Sequence, residues 1–474
     1  MAQEKLLIRG GTLITAADTV PADILIEGEK IKAIGSGLDA RGAKVVDAKE
    51  RVVMPGGVDP HVHLDLPMFG TVSSDDHYTG PKAAAFGGTT TVMDFVPQEP
   101  GHSLLSGLRA WQEKASRSPI DFGFHMNVTW LGEGILDELP RLREEGVPSF
   151  KVFTAYNGRM RLQDGEIFQV FQAAARFGLM PMLHAENGDV IDLLVAQALA
   201  EGKTSPEWHA LTRPAWGEVE ATTRGIALAA MAGSPLYVVH VTCEGALRAI
   251  REARERRLPV MGETCPQYLF FSIHELTRPD GAKWVCSPPV RSPEDNQALW
   301  QGLRQQWIQS VGTDHCPFFF DGTQPIVYEG RKVAIPGKEL GQGDFTKIPN
   351  GLPGIEDRLP ILWTYGVGQG RISANQFVAL TSTNPARVFG LYPRKGTLQP
   401  GSDADIVIWN PSTRRRVLAR EGHQRTDYNL YEEWELVGVP EKVFLRGRLI
   451  VDGKQWLGRR GGGVFLPGGG PQPL

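Results

Sequence analysis

The stretch 149–184, SFKVFTAYNGRMRLQDGEIFQVFQAAARFGLMPMLH, reads as one complete β–α–β unit. An apolar run at 150–154 is followed by a helix-like segment at 165–177 and a second apolar run at 179–183. Neither run alternates strictly between apolar and polar residues. That is the mark of strands buried on both faces, and so of a parallel sheet covered by helices. The same rhythm continues outward in both directions. Further strand-like runs stand at 52–58, 89–96 and 122–128 before the unit, and at 236–241, 259–263 and 310–313 after it. Helical patterns such as 104–115 and 246–256 separate them. Eight such runs predict an α/β fold of the (β/α)8 TIM-like barrel type, with an open doubly wound sheet as the alternative.

The two ends of the chain have a different texture. Short strands are expected around 6–9, 22–26 and 30–34, and again at 405–409 and along 442–450. Two unrelated terminal hairpins would have too little core to be stable alone. We therefore expect both ends to build one small β-sandwich domain, residues 1–52 with 395–474, around a barrel spanning 53–394. The Gly- and Pro-rich tail 458–474 is expected to be extended or mobile.

Composition narrows the function classes. Of the 474 residues, 41% are hydrophobic and 22% charged, which excludes wholesale disorder. A net charge of −4 and a pI near 6.3 give no electrostatic case for nucleic acid or an anionic membrane as partner. The basic run Arg414-Arg415-Arg416 reads as a solvated strand or turn. The longest uncharged stretch, 225–243, is broken by Gly233-Ser234-Pro235 and reads as helix, turn and strand rather than a membrane span. Cys243, Cys265, Cys286 and Cys316 form no Cys-x-x-Cys pair, so neither a disulfide framework nor a zinc ribbon is expected. With no signal-peptide core at the start, the expected compartment is the cytoplasm. Phosphate-loop, dinucleotide-fingerprint and Gly-x-Ser-x-Gly patterns are not met in the sequence contexts they require.

The residues able to do chemistry fall at strand ends. Asp59-Pro60-His61-Val62-His63 closes the first barrel strand, and residues two apart on a strand face the same side. His184 follows the fifth strand, His240 the sixth and Asp314 the eighth. Barrel active sites lie at this face, and imidazoles with a carboxylate suit zinc or a similar divalent ion. Lys151 sits inside the apolar run at 150–154. A buried ammonium is costly, so its pKa should be depressed. Two readings follow for Lys151: a stem lying along the strand with the head reaching solvent or Glu186, or a neutral amine that has taken up CO2. The resulting carbamate could bridge two metal ions.

Five motifs resemble the cyclic-amidohydrolase branch of the amidohydrolase superfamily. They are Pro55-Gly56-Gly57-Val58-Asp59-Pro60-His61-Val62-His63-Leu64, Phe150-Lys151-Val152-Phe153, His184-Ala185-Glu186-Asn187, Gly312-Thr313-Asp314-His315-Cys316-Pro317 and Gly401-Ser402-Asp403-Ala404-Asp405. Over essentially the whole chain the nearest resemblance is to the dihydropyrimidinase/D-hydantoinase family. It implies two divalent metal ions per subunit, zinc in the usual case. His61, His63 and Asp314 would hold the first and His184 and His240 the second, with N6-carboxylated Lys151 bridging them. It also implies that Tyr156 hydrogen-bonds the attacked carbonyl, and that main-chain groups of Ser287 and Asn350 hold the ring amide. A homotetramer, or a dimer, is the assembly the resemblance implies. The loop 317–341 is longer than the family pattern.

The expected function is hydrolysis of the cyclic amide of dihydropyrimidines and 5-substituted hydantoins to N-carbamoyl amino acids. Asp314 would be the proton carrier and Tyr156 the oxyanion donor. A dihydroorotase- or allantoinase-like activity is the alternative. The former expects an arginine two residues after the second histidine to bind a substrate carboxylate, where this chain has Asp65, which is expected to repel it. A non-enzymatic scaffold of the same fold is excluded because every ligand-type residue is present. Leu64, Leu66, Phe153, Tyr156 and Met160 are expected to surround the substituent on the ring carbon.

Overall fold

The computed structural model describes residues 4–472 and 474. Among these, eight parallel strands follow one another in sequence order: Gly57–Val62, Thr89–Val96, Asp121–Asn127, Ser149–Phe153, Met180–His184, Leu236–Val238, Val260–Thr264 and Ser310–Val311. The first and last meet through the segment after the eighth strand. Thr313 donates from its amide and its hydroxyl to the Asp59 carboxyl at 3.1 and 2.7 Å, and the His63 amide donates to the His315 carbonyl at 2.8 Å. The sheet is thus a nearly closed barrel, and the doubly wound alternative is discarded.

The periodicities explain why these residues form these elements. In the fifth strand Met180 and Met182 belong to one apolar cluster, with Met93, Phe95 and Tyr237, while Leu183 belongs to the layer under the helices. Alternation then aims His184 the same way as Met182, at the top of the barrel interior. Lys151 pairs with Met182 in the parallel ladder, so its side chain shares that face. Helix Asp164–Phe177 buries Ile167, Val170, Phe171 and Ala174, a stripe at i, i+3, i+4 and i+7. Glu166 accepts from the Gln163 amide at its start, and Gly178, at φ 67°, ends it. No helix of the described residues is long and apolar enough to cross a membrane.

Nine strands from the two chain ends form a separate mixed sheet. Strand Ile406–Arg416 runs antiparallel to Val52–Pro55, which in turn pairs with Lys5–Ile14. Leu6, Ile8, Leu13, Ile24, Ile406, Ile408 and Phe444 pack together as its own core. Arg414 and Arg416 lie in this sheet and form exposed ion pairs with Glu435 and Glu433, a solvated face.

Three expectations need correction. The run 52–58 is two strands, because Gly56 carries the chain from the small sheet into the barrel. A Cβ there would meet the Thr90 hydroxyl at 2.1 Å. The run 442–450 is also two strands, turning at Arg446 and Gly447, whose φ values of 45° and 76° no extended strand holds. The tail is extended but fastened. The Phe122 amide donates to the Val464 carbonyl, and the Leu466 amide donates to the Phe122 carbonyl at 2.7 Å. Leu466 packs with Val58, Met93 and Phe389 in the barrel-interior cluster, so this stretch of the tail serves the barrel rather than the sheet.

Candidate metal centre and substrate cavity

His61, His63 and Asp314 bring one ligand atom each within 4.8 Å of one another. Asp314 Oδ1 lies 3.1 Å from His61 Nε2 and 3.2 Å from His63 Nε2. Lys151 Nζ lies 3.1 Å from His61 Nε2, almost wholly buried. His184 Nδ1 faces His240 Nε2 at 3.0 Å. Strained backbone holds several of these groups in place. His240, Asp314 and Tyr156 have φ of 38°, 51° and 68°, left-handed values that side-chain-bearing residues rarely adopt.

Two acids that the strand-end pattern did not single out as functional orient the imidazoles. Glu263, at the end of the seventh strand, lies 2.6 Å from His61 Nδ1, which turns His61 Nε2 toward Asp314 and Lys151. Its other oxygen accepts from the Tyr237 hydroxyl at 2.8 Å. Glu186 lies 2.8 Å from His184 Nε2 and so leaves His184 Nδ1 facing His240. Glu263 was findable, since it stands at the end of a barrel strand like the histidines. Glu186 stood inside a motif but had no stated task. His125, which bonds the Pro60 carbonyl at 2.9 Å from the third strand, gave no sequence signal beyond being a buried histidine.

The charge states follow from burial and these partners. Burial holds His63, His184 and His240 below the ordinary histidine pKa, which keeps their lone pairs available. Burial and Lys151 act the same way on His61, but Glu263 and Asp314 outweigh them and raise it. Burial would raise Asp314, yet His61 and His63 hold it well below the usual carboxylate range. Desolvation pushes the Lys151 amine down, with Asp314 and Glu263 opposing. Tyr156 is pushed up by burial and by Glu186, so its hydroxyl keeps its proton at neutral pH.

These groups, His61 excepted, line a cavity of about 590 Å³. His63, Lys151, His184, His240 and Asp314 form one part of the wall, and Tyr156, Ser287 and Asn350 another. Asn350 Nδ2 donates to Ser287 Oγ at 3.1 Å, so the residues on either side of the long loop meet. Leu66, Phe153 and Met160 also line it, joined by Met68 and Phe69, which the sequence reading did not name. No residue of 317–341 does.

Leu64 does not line the cavity. It lies opposite His63 in strand alternation and is buried in the barrel core, over Gly80. Asp65 also stays outside, with its carboxyl 2.6 Å from His77 Nδ1 and 2.5 Å from Arg117. Burial opposes its ionisation, but these partners hold its pKa far below the usual range, and the Asp65 and Asp94 carboxyls raise His77 to about 9 against its own burial. The expectation that Asp65 would repel a substrate carboxylate therefore fails, since its charge is neutralised locally.

Comparison with known proteins adds an independent line. The family model described as "Amidohydrolase family" matches residues 52–450. The chain is 47% identical over 464 residues to a D-hydantoinase of Geobacillus stearothermophilus, covering 97% of this chain and 96% of that protein. It is 37% identical over 476 residues to a dihydropyrimidinase of Rattus norvegicus, covering 98% and 89% respectively. The crystal structure of a dihydropyrimidinase from Brevibacillus agri superposes with a TM-score of 0.95 at 47% identity, covering 99% of this chain and all of that one.

Proposed function

Because this chain belongs to the amidohydrolase family and is a cyclic amide hydrolase, we propose that it opens dihydropyrimidines and 5-substituted hydantoins at a two-metal centre, giving N-carbamoyl amino acids. The observation that carries the reading is the convergence of His61, His63 and Asp314 beside a buried Lys151, with His184 facing His240, a cluster of which all but His61 line one cavity.

The donor set fits divalent ions. Glu263 and Glu186 each fix one ring nitrogen of a histidine and leave the other aimed inward, an arrangement common behind metal-bound imidazoles. His61, His63 and Asp314 would hold one zinc ion, His184 and His240 the other, and Lys151 would carry a carbamate between them. When bound, such a pair supplies hydroxide at neutral pH and polarises the carbonyl. The protein's own groups do the remainder. The Tyr156 hydroxyl donates a hydrogen bond to the oxygen as negative charge develops on it. Asp314, kept ionised by His61 and His63, takes the proton released by the attacking water and hands it to the departing ring nitrogen. Main-chain groups at Ser287 and Asn350 hold the ring amide, while Leu66, Phe153 and Met160 receive the substituent. Assembly as a homotetramer, or a dimer, belongs to the same proposal and rests on the family resemblance, while a cytoplasmic location is supported by the four free, buried cysteines.

The test is ring opening of dihydrouracil and hydantoin by protein stripped with a chelator and then reloaded with zinc. Activity should vanish and return with about two ions per chain, and no opening of either ring after reloading refutes the reading. Tyr156→Phe should lower kcat by about 10²-fold with little change in KM, as expected for an oxyanion donor used mainly in the transition state. Glu263→Ala should weaken metal binding by about 10- to 100-fold, read by competition with a chromogenic chelator. An unchanged metal affinity would remove Glu263 from this role.

A further inference from the structure

Lys338 belongs to the long segment 317–341, none of which lines the substrate cavity, yet its side chain is only 2% exposed. Its amine donates to the Val285 and Pro349 carbonyls, both at 3.0 Å. These carbonyls stand just before Cys286-Ser287 and Asn350-Gly351, two segments that both reach the cavity wall. The same segments are tied by the Gly351 amide to the Val285 carbonyl at 3.1 Å, and by Asn350 Nδ2 to Ser287 Oγ. His209 Nε2 adds contacts to the Cys286 carbonyl at 2.8 Å and to Ser287 Oγ at 3.1 Å.

We propose that Lys338 is a positioning residue: it clamps the main chain at Ser287 and Asn350 in the geometry that binds the ring amide. This rests on the assignment of those two residues to the ring amide in the proposed function. The chemistry favours a clamp over a space filler. An apolar side chain would fill the same volume without the desolvation cost of an amine. Among the described residues no carboxyl pairs with Lys338, and both of its hydrogen bonds go to main-chain carbonyls. Burial pushes its pKa to about 7, but a neutral amine still has two N–H groups, one for each carbonyl. Its own amide donates to the Phe319 carbonyl at 2.7 Å, which fixes the stem to the start of the loop. Lys338 thus reaches the Ser287 and Asn350 side of the site from outside the cavity.

The test uses Lys338→Met in the full-length, metal-loaded enzyme. Metal content should match the wild type. The Gly351 amide and the segment around Ser287 should exchange hydrogen at least about tenfold faster, because the clamp's loss opens them locally. KM for unsubstituted rings should rise about tenfold while kcat changes by less than about threefold, the pattern of lost uniform binding. A merely structural role would instead lower kcat with the folded fraction and leave KM unmoved. Lys338→Gln, which keeps two N–H donors, should fall between methionine and wild type in both readouts. Exchange rates and KM equal to the wild type in both variants would overturn the proposal. If the wild type opens none of the rings, the proposed function falls, and the exchange arm still decides whether Lys338 holds the two segments.

Discussion

Lys151→Ala should lose at least one of the two metal ions and nearly all ring-opening activity, with partial recovery when a short carboxylic acid is added. The argument starts from the strand. Lys151 shares the barrel-interior face with Met182 and with Asn127, its register partners on either side, and its Nζ lies 4.5 Å from the Phe95 ring. It is therefore enclosed by apolar groups below and by imidazoles and Asp314 at its tip. An ammonium there would sit beside His61 Nε2, one of the proposed metal ligands, and would repel a divalent ion. A neutral amine is a nucleophile toward CO2, and burial moves Lys151 in that direction. A carbamate would reverse the charge and offer two oxygens to the proposed pair of ions. Alanine removes both oxygens at once, so the centre should lose a bridge rather than a neighbour. A small carboxylate diffusing into the cavity replaces part of that function, which is why rescue discriminates a bridging anion from a packing role. Metal analysis and kinetics with and without added acetate or propionate read the result. Carbamates are lost in acid, so the direct probe is electron density at the lysine tip. An unmodified ammonium beyond hydrogen-bond distance of any metal sinks the idea.

The barrel and its cluster of imidazoles and carboxylate were legible because parallel strands are buried on both faces and end at one rim. The runs at 89–96 and 104–115 coincide with the observed strand and helix, since each is bounded by a change of pattern. His184, His240 and Asp314 could be found one by one, because each stands where a strand stops. The joints were not legible. Gly56 looked like the interior of one strand, since nothing local says that Thr90 lies against it. The Leu466 plug depends on a barrel floor formed mainly by residues hundreds of positions earlier. Leu64 was read as a wall residue because loops near a site usually face it, but strand alternation beyond His63 turns it into the core. Asp65 was read as a lone charge because its partners, His77 and Arg117, come from other elements. Lys338 carried no signal, since a lysine in a long loop is ordinarily exposed.

Dihydrouracil and 5-substituted hydantoins should show kcat/KM values at least about tenfold above that of dihydroorotate, and the wall composition is the reason. Leu66, Met68, Phe69, Phe153 and Met160 give the cavity an apolar side, with the Tyr156 hydroxyl beside it. A benzyl-sized substituent buried there gains on the order of 1–3 kcal/mol, at ~25 cal/mol per Å². A carboxylate on the ring carbon loses its hydration and needs a cation in return. Two lysines line the wall. Lys151 is committed to the proposed centre, and the Lys114 ammonium lies 3.9 Å from the Trp111 ring centroid and 3.4 Å from the Asp65 carbonyl. Asp65 itself does not enter the argument, because His77 and Arg117 neutralise it outside the cavity. The discrimination therefore rests on Lys114 staying against Trp111 and the Asp65 carbonyl, away from a ring carboxylate, rather than on a repelling anion. This makes a second expectation: Asp65→Asn should leave the preference unchanged, whereas Leu66→Arg, which places a cation on the apolar side, should narrow it. A substrate panel assayed on the wild type and both variants separates these effects. If dihydroorotate is the best substrate of the wild type, the reading of the cavity is wrong even with the metal centre intact.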